Sequence, residues 1–254
     1  MNRIESIKNP KIKHIKKLRR RSVREKENLF LIEGIHLIEE AIQADITIDE
    51  LYVEETKQPH AELVTNSQIT LVTEAVMKEM STLETPSGFL AVCELPEKPN
   101  TAARLKGTYL FVDGVQDPGN LGTMIRTADA AGVDAVILGE GTVDPYNDKV
   151  IRSTQGSLFH VPVIKADLGD WIAACKDKNI PVFGTSLTAG TSHTAIESQQ
   201  SFALVVGNEG SGVKEEWLEN SDQTIYVPIY GKAESLNVSV ATGILLYHLR
   251  SPAL

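Results

Sequence analysis

The sequence predicts an α/β fold in two parts: a small domain over residues 1–95 and a larger parallel-sheet domain over 108–254, joined by a linker at 96–107. Three observations carry this reading. Short apolar runs alternate with amphipathic helical segments along most of the chain, the pattern of βα units. The alternation breaks at PEKPNTAARLKG, which has two prolines and no apolar period, as expected of a connection between domains. Beyond it, the strand runs are rich in Val, Ile and Leu without strict alternation, which suits a parallel sheet covered on both faces.

The elements follow in order. A basic amino-terminal stretch keeps Ile12, Ile15 and Leu18 at helical spacing, an apolar stripe that would dock a helix and hold its lysines outward. NLFLIEG (28–34) reads as a strand and GIHLIEEAIQA (34–44) as an amphipathic helix. IDELYVEE (48–55) is a strand, HAELVTN a short helix, QITLVT (68–73) a strand, and TEAVMKEMST a helix running to about Leu83. GFLAVCEL (88–95) closes the first domain. In the second, the expected strands are TYLFVDGV, DAVIL (134–138), IPVFGTS (180–186), FALVVGNE (202–209) and QTIYVPI (223–229). The helices between them include NLGTMIRTADAAG, DLGDWIAACKDK, VKEEWLEN and the closing SVATGILLYHLR. There is no internal repeat and no low-complexity tract.

Composition narrows the function classes. With 42% hydrophobic and 23% charged residues, the chain can build a core and is not a disordered tail. No apolar run is long enough to span a membrane, so no membrane partner is expected. The basic amino terminus lacks the apolar run of a secretory signal. Cys93 and Cys175 lie in apolar stretches and read as buried free thiols, which points to the cytoplasm. The net charge of −9 hides a split: residues 1–30 hold eleven Lys/Arg against three acids, and the other 224 hold 14 against 31. Such an asymmetry suggests a local site for a polyanion, although a solvated helix would look the same on composition alone.

Three polar segments follow strands of the second domain, where open α/β sheets bind ligands. The first is DGVQDPGNLGTMIR (113–126). Pro118 and Gly119 read as a turn and Asn120 as a helix cap, but Arg126 lies among apolar residues where a partly buried guanidinium needs an anion or a carboxylate. The second is GNEGSG (207–212). Its glycine order is neither a dinucleotide fingerprint nor a P-loop, and Glu209 would repel a pyrophosphate while suiting a cationic ligand such as a sulfonium. The third, VPIYGKAESLNVSVA (227–241), has Ser235 and Asn237 at the entrance to an apolar helix; capping accounts for either one but not for both.

In this order the segments DPGNLGTMIRTA, GNEGSG and VPIYGKAESLNVSVATGILLY resemble the SpoU (TrmH-type) family of RNA ribose 2′-O-methyltransferases of the SPOUT class, over residues 108–250. The segment KVIRSTQGSLFHVP (149–162) is similar as well, and residues 1–95 look like the substrate-binding domain many members carry in front. The resemblance implies a deep trefoil knot, S-adenosyl-L-methionine as cofactor, no metal, and a homodimer with a shared active site. It implies Asn120 and Arg126 as a catalytic pair, with Glu209, Ser235 and Asn237 completing the site. Thr185, Gly207, Ile229, Ser235 and Leu236 would contact the cofactor. Lys13, Lys16, Lys17, Arg19, Arg20, Arg21 and Arg152 are the expected RNA contacts. Ribosomal RNA is the expected substrate, with transfer RNA also fitting. The rival readings are an inactive RNA-binding or ribosome-assembly factor on the same fold, which the intact polar set disfavours, and a nucleotide-dependent oxidoreductase, which the glycine order disfavours.

Overall fold

A computed structural model describes residues 2–57, 68–96, 107–187 and 189–250. The expected helix HAELVTN and nearly all of the 96–107 connection lie outside the described residues. Two compact units result, one from the described residues of 1–97 together with 146–159, the other from those of 98–145 and 160–254. The packing of 146–159 with the first unit has no counterpart in a linear division of the chain.

The first unit is a mixed five-stranded sheet in the order β1-β4-β3-β5-β2. Its strands are β1 (Asn2–Ile4), β2 (Leu29–Glu33), β3 (Ile48–Glu54), β4 (Gln68–Val72) and β5 (Phe89–Glu94). Strand β3 runs parallel to β4 and antiparallel to β5. The amino-terminal stretch is a strand followed by two helices, α1 (Pro10–Lys17) and α2 (Arg21–Glu27), where one basic helix was expected. Pro10 suits the first turn of a helix, where no N–H is needed, and the Asn9 side chain caps it by accepting from the Lys11 backbone N–H at 2.8 Å. The backbone turns extended at Arg20, which separates the two helices. Ile12, Ile15 and Leu18 are buried with Val72, Val76 and Met77, as their spacing predicts. Helix α3 (Ile35–Gln43) matches its expected span, whereas α4 (Glu74–Met80) stops short of Leu83 because Ser81 adopts an extended conformation. Helix α6 (Asp148–Thr154) also belongs to this unit, and Phe30 packs against Tyr146 and Phe159 on either side of it.

The second unit is an all-parallel seven-stranded sheet in the order β10-β12-β9-β11-β6-β7-β8. The strands are β6 (Thr108–Asp113), β7 (Ala135–Leu138), β8 (Val163–Lys165), β9 (Val182–Thr185), β10 (Thr191–Ser192), β11 (Phe202–Gly207) and β12 (Gln223–Tyr226). Every residue of β6, β7 and β11 is buried, which is why these runs lack alternation. The short edge strands β8 and β10 carry too few apolar residues to show in the sequence, and β12 ends at Tyr226 rather than 229. The helices are α5 (Pro118–Ala130), α7 (Leu168–Asp177), α8 (Glu215–Glu219) and α9 (Val238–Leu249), and α9 packs on α5 and β11.

Candidate active site at the carboxyl edge of the parallel sheet

The strand register sets the stage. Gly207 lies opposite Asp113, and Ile225 opposite Thr185, so β12, β9, β11 and β6 end side by side. The three polar segments leave from these ends.

Helix α5 begins one turn earlier than the sequence reading placed it. Asp117 is the N-cap and its carboxylate accepts from the Asn120 backbone N–H at 2.9 Å; Pro118 occupies the first helical position. Asn120 is therefore not the cap but a first-turn residue whose amide side chain is released for other work. The Asp-Pro pair was the signal for this cap.

That amide joins all three segments. Asn120 Nδ2 donates to Glu209 Oε1 at 3.0 Å, and Asn237 Nδ2 donates to Asn120 Oδ1 at 2.9 Å. Asn237 Oδ1 caps α9, accepting from Ser239 N at 2.9 Å and Val240 N at 3.4 Å, and from the Ser239 hydroxyl at 2.6 Å. Both ends dictate the direction of the chain: the acceptor of Asn237 is taken by the cap, and an ionised Glu209 can only accept. Capping and network are thus not alternatives for Asn237; one side chain does both.

Glu209 also accepts from the backbone N–H groups of Gln116 at 3.2 Å and Asp117 at 3.1 Å. Burial pushes its carboxyl up, but the hydrogen bonds from Asn120, from its own backbone N–H, and from Gln116 and Asp117 outweigh this and hold it below the ordinary glutamate value. Its oxygens are directed at the first segment, which organises the turn before α5.

The loop after β11 is held by a residue the sequence reading passed over. Asn208 Oδ1 accepts from Gly210 N at 2.9 Å and Ser211 N at 3.1 Å, and its Nδ2 donates to the Gly114 carbonyl at 2.8 Å. Gly207 is obligatory, since a Cβ there would lie 2.1 Å from the backbone of Gly212 and Val213. Buried Asp113 accepts from Lys214 N at 2.8 Å and closes the loop from the other side.

Arg126 sits six residues beyond Asn120, about 9 Å along the helix axis. It is exposed rather than partly buried, and among the described residues no hydrogen bond or ion pair engages it. Thr185 ends β9 and donates its hydroxyl to the Val205 carbonyl at 3.0 Å. Ile229 and Leu236 are half-buried in the irregular 227–237 stretch, and Ser235 is exposed, outside the hydrogen-bonded network. A cofactor with a cationic sulfur fits this edge: four neighbouring strand ends, a loop that excludes a Cβ at Gly207, and apolar Ile229 and Leu236.

In the first unit, the expected RNA contacts divide. Lys16 pairs with Glu79, Arg19 with Asp148 and the Met80 carbonyl, Arg21 with Glu25 at 2.7 Å, and Arg152 donates to Thr82 at 2.9 Å. Lys13, Lys17 and Arg20 are exposed, with no such partner among the described residues. Lys11, on the same helix, reaches the buried Glu50 at 2.6 Å.

Known proteins resemble the chain in sequence and in fold. The profile of the SpoU rRNA methylase family matches residues 107–247, and that of the MRM3-like substrate binding domain matches residues 9–91. The 23S rRNA (guanosine(2553)-2′-O)-methyltransferase RlmP of Bacillus subtilis is 48% identical over 98% of this chain and 100% of its own. The crystal structure of an AdoMet-bound rRNA methyltransferase from Sinorhizobium meliloti superposes with a TM-score of 0.88 at 31% identity, covering 100% of this chain and 98% of that one. The structure of an RNA 2′-O ribose methyltransferase gives 0.86 at 34% identity, covering 97% of both chains. From its three converging segments to its two matched domains, the chain belongs to the SpoU rRNA methylase family.

Proposed function

We infer that the chain is an S-adenosyl-L-methionine-dependent methyltransferase acting on the ribose 2′-hydroxyl of ribosomal RNA. The observation that carries this is the hydrogen-bonded chain Asn237–Asn120–Glu209, which locks one residue from each segment at the strand ends. The identity to the Bacillus subtilis 23S rRNA enzyme over the full chain supports ribosomal RNA as substrate.

Thr185, Gly207, Ile229 and Leu236, with Ser235 beside them, would hold the cofactor at the carboxyl edge. Bound there, it supplies an electrophilic methyl group on a sulfonium sulfur. The chain's own residues prepare the nucleophile. An amide nitrogen carries two N–H groups, and the network uses one from Asn120 and one from Asn237, so each side chain keeps a further donor for an oxygen of the substrate. A guanidinium stays protonated in a protein and is a poor base, so the role of Arg126 is to orient the hydroxyl and stabilise the negative charge that develops on its oxygen. Glu209 is a positioning residue that fixes the Asn120 amide.

The first unit binds the RNA backbone, principally through Lys13, Lys17 and Arg20. The working form is a cytoplasmic homodimer. Val240, Ile244 and Tyr247 of α9 leave an apolar stripe exposed at i, i+4 and i+7, which a second copy would cover. No described helix is long and apolar enough to cross a membrane. A trefoil knot in the carboxyl-terminal segment belongs to the same reading. It is supported by the strand order β12-β9-β11-β6 and by the return of α9 onto β11 and α5.

The test is transfer of a tritiated methyl group to ribosomal RNA from a strain lacking the gene. A 2′-O-methyl blocks alkaline cleavage of one internucleotide bond, so a single gap in the hydrolysis ladder is expected. Label on a base, with an unbroken ladder, overturns the ribose assignment.

A further inference from the structure

Helix α5 carries a charge in an unfavourable place. Asp129 lies in its last turn, where the helix dipole disfavours a carboxylate, and three residues after Arg126. Residues at i and i+3 are neighbours on a helix surface, and Arg and Asp at this spacing ordinarily attract one another. Yet no ion pair joins them among the described residues. Asp129 Oδ2 instead contacts His160 Nδ1 at 3.0 Å, with both side chains partly exposed. His160 comes from the segment leading into β8 and approaches α5 from outside the helix.

We propose that His160 is a positioning residue for methyl transfer, which acts by occupying Asp129 and so keeping the Arg126 guanidinium available to the RNA. The proposal rests on the assignment of Arg126 to the ribose hydroxyl. With the imidazole N–H donating to its carboxylate, Asp129 has one oxygen engaged by His160 and none paired with Arg126 among the described residues. Without His160, the carboxylate is left with the guanidinium one turn away as its nearest cationic neighbour on the helix. An Arg126–Asp129 pair would then have to break before RNA binds. Because exposed pairs are weak, the effect is small: a loss of roughly two- to fivefold in kcat/KM. The cation lies amino-terminal to the acid, the weaker orientation, which favours the lower end of that range.

Four variants test it, with tritium transfer to RNA as the activity readout and cofactor affinity and melting temperature as controls. His160→Ala should lose two- to fivefold in kcat/KM with cofactor affinity unchanged. Asp129→Ala should remain near wild type, since removing the acid also leaves Arg126 available, and the double variant should recover the activity His160→Ala has lost. His160→Asn, which keeps a donor for Asp129, guards against a failure of the alanine variant to fold and should stay near wild type. If His160 merely tethers its segment to α5, Asp129→Ala will be as impaired as His160→Ala and the double variant will show no recovery, which overturns the proposal. Full activity of His160→Ala overturns it too. Failure of the underlying assignment looks different: Arg126→Ala would itself be active.

Discussion

The two units use charge in opposite ways. In the first, a surplus of eight positive charges sits over residues 1–30, but the fold consumes much of it: Lys11, Lys16, Arg19 and Arg21 are paired with acids, and Arg24 is buried and bonded to the Leu18 carbonyl at 3.0 Å. In the second, three polar residues from distant segments meet in one directed chain of hydrogen bonds. A count of charges therefore overstates a binding surface, whereas a count of polar residues understates a site. What matters is which groups the fold leaves with capacity to spare: cations such as Lys13, Lys17 and Arg20 in one unit, and the amide N–H groups and Arg126 in the other.

The comparison breaks most visibly at Arg126. Arg126→Ala should lower kcat by about 100-fold or more, the scale of removing one oriented donor from a developing oxyanion, while calorimetry shows cofactor affinity nearly unchanged. A variant retaining most of its kcat would show that the exposed guanidinium is surface. Next comes Gly207→Ala. Its Cβ meets backbone 2.1 Å away, so the loop must shift; the expected cost is about 2 kcal/mol in stability, together with loss of cofactor binding. Cofactor binding at wild-type strength would remove Gly207 from the site.

The first unit is sharpened by a pair of variants. Replacing Lys13, Lys17 and Arg20 with Gln should weaken RNA binding and reduce the salt slope by about two to three, each phosphate contact contributing roughly 0.7–0.9. Replacing Lys16 and Arg19 should instead lower the melting temperature with little change in slope. Equal slopes for both sets would mean the partition of cations is wrong. The smallest effect is expected at Glu209. Its folded pKa lies below the ordinary value of 4.5, so the stability it adds is fully present above that pH and is lost as pH falls through the folded value. The difference in stability between wild type and Glu209→Gln should therefore vanish in acid; a constant difference would point to lost packing.

Much of the fold was legible because burial on two faces leaves an uninterrupted apolar run, as in β6 and β11, and burial of one helix face leaves a period, as in Ile12, Ile15 and Leu18. The two-residue β10 and three-residue β8 were not, because so few residues hold no pattern. Among site residues, Asn120, Glu209 and Asn237 stood out by motif, and their convergence could not be read locally. Asn208 and Asp117 escaped notice since turn and cap chemistry look alike in any loop.

What the sequence determined by itself was the set of elements, the charge split and the identity of the polar residues, because periodicity, composition and motif are properties of neighbours along the chain. Only the tertiary structure decided which cations remain available, that Asn237 both caps α9 and holds Asn120, and that 146–159 packs with the first unit. Those are long-range facts. Residues 120 and 237 are separated by 117 positions, and a hydrogen bond between them exists only once parallel strands have set their ends side by side.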